Sequence, residues 1–138
     1  LDRRDDAALR SAFHADAAIA HGAYRGGLDG YVAHATRALR SPFRTTMHEL
    51  GQVLVEIDGE TARSEAYATA HHVRTEGGRD ATARVLGLRF LDRFALRDGA
   101  WRIAEREVRF EWEHADALAP LDPAWTLGRA GPDDPVYA

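Results

Sequence analysis

The 138-residue sequence contains no cysteine, no lysine and no asparagine. Without cysteine there can be no disulfide, no thiol nucleophile and no Cys-ligated zinc or iron–sulfur centre. Without lysine there is no Schiff base and no phosphate-loop lysine, and all 18 basic residues are arginines. No apolar run approaches the roughly 20 residues that cross a bilayer, and no signal-peptide pattern opens the chain. The expectation is therefore a cytoplasmic protein without a membrane partner, although the lack of cysteine fits either redox compartment. The single methionine is Met47 and the sequence opens on Leu1, so the natural N-terminus is expected upstream.

What is present is an ordinary single-domain composition, 45% hydrophobic and 29% charged. The net charge of −4, with arginines spread along the chain, argues against a nucleic-acid partner. Chemistry is left to 7 histidines, 22 carboxylates, the arginines and a few hydroxyls. No His-x-x-x-His or His-plus-carboxylate facial spacing occurs, so no metal site is expected.

Leu9, Ala12 and Phe13 have the spacing of an amphipathic helix capped by Asp5 or Asp6. Ala17 to Gly27 reads as a short strand running into a glycine turn. Leu28, Tyr31, Val32, Ala35, Ala38 and Leu39 then mark a second helix, ended by Ser41-Pro42. Thereafter the period becomes two, with strands expected near 48–57, 61–74, 82–97 and 100–113, turning at Asp58-Gly59, Gly77-Gly78 and Asp98-Gly99. Strands of that length imply a strongly curved sheet. Helices followed by a meander predict an α+β domain over residues 1–117, with a pocket between the helices and the concave face. Residues 118–138 read as a Pro-rich extended arm, pinned by Trp125 and Tyr137 to this subunit or to a neighbour.

Histidine is the side chain best suited to proton transfer near neutrality, which makes His48, at the head of the first long strand, a candidate base. An isolated histidine is equally compatible with a surface or satisfied core position. His71 and His72 must face opposite sides of their strand, and His72 shares parity with the small residues Ser64, Ala66, Ala68 and Ala70. His72, Ala68 and Ala70 are accordingly assigned to the pocket side, and Leu86, Phe90, Val108 and Phe110 to its apolar lining. Arg106 shares the face of Val108 and Phe110, so it needs either an anionic ligand or a structural partner such as Asp92. His21 and Tyr24 are candidate hydrogen-bond donors from the short strand and turn, while His14, His34 and His114 are expected at the surface.

Together LDRRDDAALRSAFHADA, HGAYRGG, TTMHELGQVLVEIDGETARSEAYATAHH, GLRFLDRFALRDGAWRIAEREV and GPDDPVY resemble, in order and spacing, the SnoaL-like branch of the nuclear transport factor 2-like superfamily. The resemblance implies a cone-shaped, curved antiparallel sheet packed on N-terminal helices in the cystatin-like manner, an internal pocket, and often a homo-oligomer, dimer or trimer. It also implies the chemistry of scytalone dehydratase, bile acid 7α-dehydratase and hexachlorocyclohexane dehydrochlorinase. In that group an Asp at the end of the first helix pairs with a His at the head of the first long strand, and these positions fall on Asp2 and His48. A second ionisable position falls near His72, or on His71 if the hairpin differs by one residue, and a last-strand position falls on Arg106. The implied activity is a lyase or isomerase that needs no cofactor and acts on a small cyclic apolar substrate. The alternatives are a non-catalytic ligand-binding or oligomer-forming module and a polyketide cyclase.

Overall fold

The alternating pattern that begins in the forties becomes four consecutive strands, each longer than the sequence suggests. A computed structural model of the chain describes residues 1–40, 43–76, 79–122, 124–128 and 134–135. In chain order its elements are α1 (Asp6–Ser11), β1 (Phe13–His21), β2 (Tyr24–Gly27), α2 (Leu28–Arg40), β3 (Phe43–Asp58), β4 (Thr61–Glu76), β5 (Arg79–Arg97) and β6 (Ala100–Ala117). They form a six-stranded sheet in the order β2-β1-β6-β5-β4-β3. The α+β class is as expected, but the sheet is mixed, because β1 runs parallel to β6 while every other neighbouring pair of strands is antiparallel. A parallel pair needs a long connection, and here the whole meander supplies it.

The first helix is shorter than its periodicity predicts. Asp5 caps it by accepting the Ala8 N–H at 2.8 Å, and it ends at Ser11. Phe13 then opens β1, pairing with Ile103, so Phe13 and His14 are strand residues and both are buried. This corrects the surface placement of His14, whose Nε2 bonds the Ala95 carbonyl at 2.9 Å. The second helix buries Leu28, Tyr31, Val32 and Ala35 against Phe13, Ala17, Ile19 and Ile103, following the apolar stripe. The expected stops at Ser41-Pro42 and Gly77-Gly78 lie outside the described residues.

The hairpins follow turn chemistry. Asp98 and Gly99 both have positive φ (53° and 74°), the signature of a two-residue type I′ loop. At the β3–β4 turn the pairing of Asp58 with Thr61 makes Gly59-Glu60 the loop, one residue beyond the expected Asp58-Gly59. Register shifts at Leu50/Val53, Gly87/Leu88 and Arg93/Phe94 fall within the long strands, where bulges bend them. Across β4, β5 and β6 the inward side chains Ala66, Ala68, Ala70, Leu86, Leu88, Phe90 and Val108 form a second buried cluster. Beyond Ala117, Trp125 is exposed and does not pin the arm to this subunit; Tyr137 lies outside the described residues. Asp134 instead approaches Arg3 at 3.7 Å.

Candidate active site on the inner face of the sheet

A turn at the N-terminus delivers the first functional side chain. The Arg4 N–H bonds the Leu1 carbonyl at 2.8 Å, with Arg4 in the left-handed region at φ 56°. The Arg4 guanidinium donates to the Phe43 carbonyl at 2.9 Å, tying this turn to the first residue of β3. Asp2 is thereby set beside Thr46 and His48, which project from the same side of β3.

The Asp2 carboxylate accepts from His48 Nδ1 at 2.7 Å, from the His48 backbone N–H at 2.8 Å and from Thr46 Oγ1 at 2.9 Å. Partial burial works against its charge, but the bonds from the His48 ring and backbone outweigh that and hold the carboxyl well below the usual range. Asp2 is thus an ionised, acceptor-only group, and His48 Nδ1 must carry the proton that it shares with Asp2. With Nδ1 turned to Asp2, Nε2 is the ring nitrogen left to take a proton, which is the arrangement of an oriented general base.

His72 is buried on the same face, edge-on to the His48 ring with centroids 5.6 Å apart and 5.0 Å from the Phe43 ring. Its Nδ1 is sealed from solvent without a hydrogen-bond partner among the described residues. Burial, with the adjacent His48 ring adding to its effect, pushes its pKa down to about 4, so it is neutral near pH 7. His71 points the other way and sits 3.9 Å from Glu49, as strand parity requires.

At the far end of the face, Arg106 forms a bidentate pair with Asp92, both contacts at 2.7 Å, packed over the Phe90 ring at 4.4 Å. Burial opposes the Arg106 charge, but the bonds to Asp92 prevail and keep it protonated. Of the two partners that its face required, the structural one is in place. His21, at the end of β1, bonds the buried Tyr31 hydroxyl through Nδ1 at 3.2 Å. Tyr24 is turned to a structural task, donating to the Gly27 carbonyl at 2.6 Å above Gly26 and Gly30.

Ala68, Ala70, Leu86, Phe90 and Val108 are in the buried inner cluster, and Phe110 is half-exposed beside His21 with ring centroids 5.8 Å apart. Asp2, His48 and His72 are therefore brought together, while Arg106 is paired separately with Asp92 and His21 with Tyr31. Sequence reasoning missed Thr46 and the support that Tyr31 gives His21. Thr46 is detectable in principle, two residues before His48 and so on its face. Tyr31 is hidden inside an ordinary apolar helix stripe. Among the described residues no cluster of three or more His, Cys, Asp or Glu is placed to hold a metal, and no helix is long and apolar enough to cross a membrane. A groove of about 1040 Å³ is lined by outward residues such as Leu54, Arg63, Leu91, Arg93, Glu105 and Glu107 and also by Asp92 and Arg106, but not by Asp2, His48 or His72.

Residues 1–107 match the sequence profile of the SnoaL-like domain, a span that contains Asp2, His48, His72 and Arg106. The chain belongs to the SnoaL-like domain family. Solved structures share the fold at low identity. A scytalone dehydratase-like protein from Novosphingobium aromaticivorans superposes with a TM-score of 0.72 at 19% identity, over 91% of this chain and 84% of that one. A hexachlorocyclohexane dehydrochlorinase of LinA type 3 from Novosphingobium barchaimii gives 0.74 at 16% identity, over 88% and 84%. A nuclear transport factor 2-like superfamily protein from Salmonella enterica gives 0.68 at 14% identity, over 91% and 86%. Among curated proteins none matches the chain in sequence. At these identities the structural likeness establishes the SnoaL-like, nuclear transport factor 2-like fold and nothing finer.

Proposed function

We propose that this SnoaL-like protein is a lyase that needs no cofactor and uses the Asp2–His48 pair to remove a carbon-bound proton from a small, largely apolar cyclic substrate. One observation carries the reading: an ionised carboxylate with three donors on it, one of them His48 Nδ1 at 2.7 Å. This fixes the ring and its tautomer and stabilises the imidazolium that forms when Nε2 takes the proton. A neutral His72 at its edge adds no second positive charge to oppose that step. Elimination of water or halide suits this layout better than isomerisation of the steroid type, which uses a carboxylate base. Two structural neighbours carry the names of a dehydratase and a dehydrochlorinase, which supports the same class.

The test is a panel of cyclic β-hydroxy ketones and halogenated rings, followed by absorbance of the new double bond, with wild type and His48→Gln side by side. Turnover should fall by about 10²–10⁴ in the variant, the usual contribution of a positioned base. A second reading, a non-catalytic binding or assembly module, is favoured by a groove of about 1040 Å³ whose lining does not include Asp2 or His48. It predicts ligand affinity or self-association that is indifferent to His48→Gln and sensitive to outer-face changes such as Leu54→Arg.

A further inference from the structure

The three donors on Asp2 are divided unevenly between its two oxygens. Among the described residues Oδ2 accepts the His48 backbone N–H, at 2.8 Å, whereas Oδ1 accepts both His48 Nδ1, at 2.7 Å, and the Thr46 hydroxyl, at 2.9 Å. Thr46 stands two residues before His48 on β3, on the same side of the strand, and it is buried directly across from His72 on β4. A buried hydroxyl needs a partner, and it has a single hydrogen to give. Thr46 gives that hydrogen to the same oxygen that holds the His48 ring.

Two donors on one carboxylate oxygen compete for its charge. When the His48 ring is positive it draws most strongly on Oδ1, and the Thr46 bond is then at its weakest; when the ring is neutral the Thr46 bond is stronger. The hydroxyl therefore favours the neutral ring over the imidazolium. A base held too firmly as the imidazolium keeps its proton and cannot take one from carbon, so a carboxylate that orients the ring without holding its charge at full strength serves catalysis best. The other groups around His48 leave this effect to Thr46. His72, edge-on from β4 at 5.6 Å, is neutral near pH 7, and Arg84, its cross-strand neighbour on β5, is bound by Glu113 through two contacts of 2.8 Å. On the N-terminal turn Arg4 is directed at the Phe43 carbonyl, and Glu49 and His71 lie on the other side of their strands. Among the described residues no hydrogen bond or ion pair joins His48 to α2.

We infer that Thr46 is a positioning residue that acts on His48 through Asp2: by sharing Oδ1 it limits how firmly Asp2 holds the protonated ring, and so keeps His48 available as a base. The catalytic meaning of this rests on the proposed role of His48. Thr46 keeps its own proton throughout, and it touches neither substrate nor reacting atoms in this role.

The experiment needs no substrate. The full chain, labelled with ¹⁵N-histidine, is titrated with acid and base, and the His48 ring nitrogens are followed in wild type, Thr46→Val, Thr46→Ala and Thr46→Ser. Valine keeps the shape of threonine and removes the hydroxyl, so in Thr46→Val the ring should stay protonated to a higher pH than in wild type, by about 0.3–1 pH unit, a fraction of one hydrogen bond read as a change in proton affinity. Thr46→Ala should move the midpoint the same way, and Thr46→Ser, which keeps the donor, should return it close to wild type. His114, paired with Asp116 at the exposed end of β6, is the internal control and should titrate alike in all four proteins. A residue that only fills the core would change the melting temperature without this pattern. An unchanged midpoint in Thr46→Val and Thr46→Ala, a move to lower pH, or an equal upward move in Thr46→Ser each overturns the inference. If Thr46→Val does not fold, Thr46→Ala and Thr46→Ser decide on the same terms. Whether His48 is a base is tested separately, by loss of turnover in His48→Gln, so failure of that reading and failure of this inference are distinguishable.

Discussion

Replacing Asp2 by asparagine removes one charge and almost no volume, and its effect can be worked out from the bonds present. The carboxylate receives three donors, from the His48 ring, the His48 backbone and Thr46. An amide has one acceptor oxygen, and its NH₂ must face at least one of those donors. At least one charge-assisted hydrogen bond is lost, about 1.5–3 kcal/mol, which is a sizeable part of the 5–15 kcal/mol that holds a typical domain. For a domain of this size the melting temperature should fall by roughly 5–12 °C at pH 7.

The pH dependence makes this test specific. Asp2 has a folded-state pKa below its unfolded value of about 3.9, so its contribution is fully present above that pH and declines as pH falls through the folded value. Thermal unfolding of Asp2→Asn and wild type should therefore differ most at neutral pH and converge below about pH 4. An Asp2→Asn protein as stable as wild type at pH 7, or a difference that persists unchanged into acid, would refute the description of Asp2 as an ionised hub. Turnover should fall together with stability, by about 10²–10⁴, because the amide no longer enforces the Nδ1–H tautomer of His48.

Further expectations follow from the other groups. His21 and His72 have folded pKa values of about 4 against 6.5 unfolded, so the unfolded chain binds more protons between those values and stability should rise with pH over that window. His72→Leu should flatten part of that slope in acid-denaturation curves, and an unchanged slope would count against a neutral His72. Asp92→Asn strands the buried Arg106 charge and should cost about 3–5 kcal/mol in urea titrations, whereas Asp92→Leu with Arg106→Met together should cost much less. A Cβ at Gly87 would meet the indole of Trp112, which is half-exposed and can swing away. Gly87→Ala should thus shift tryptophan fluorescence with little change in melting temperature, and a large loss of stability would show that Trp112 is held in place.

Legibility varied with the range of the interaction. The long strands were readable because alternation is local, and the same parity placed His72 inward, His71 outward and Arg106 beside Asp92. Asp2 and His48 were readable only through the family resemblance, since no local pattern joins residues 46 apart. The exchange of Phe13 and His14 from helix to strand was not readable: their helical spacing is real, and the pairing of β1 with β6, a partner from the other end of the chain, overrides it. The same distant pairing makes the sheet mixed. Tyr31 belongs to the helix core as its spacing predicts, but its hydroxyl acquires a role only when α2 packs on β1, bringing it to His21.

The central claim is that His48, oriented by Asp2, removes a proton from carbon. The most direct measurement is solvent deuterium incorporation, or elimination, with a cyclic ketone that wild type accepts, compared at equal concentration with His48→Gln. The account predicts loss of at least about 100-fold in the variant. Full-rate exchange or elimination by His48→Gln would contradict it.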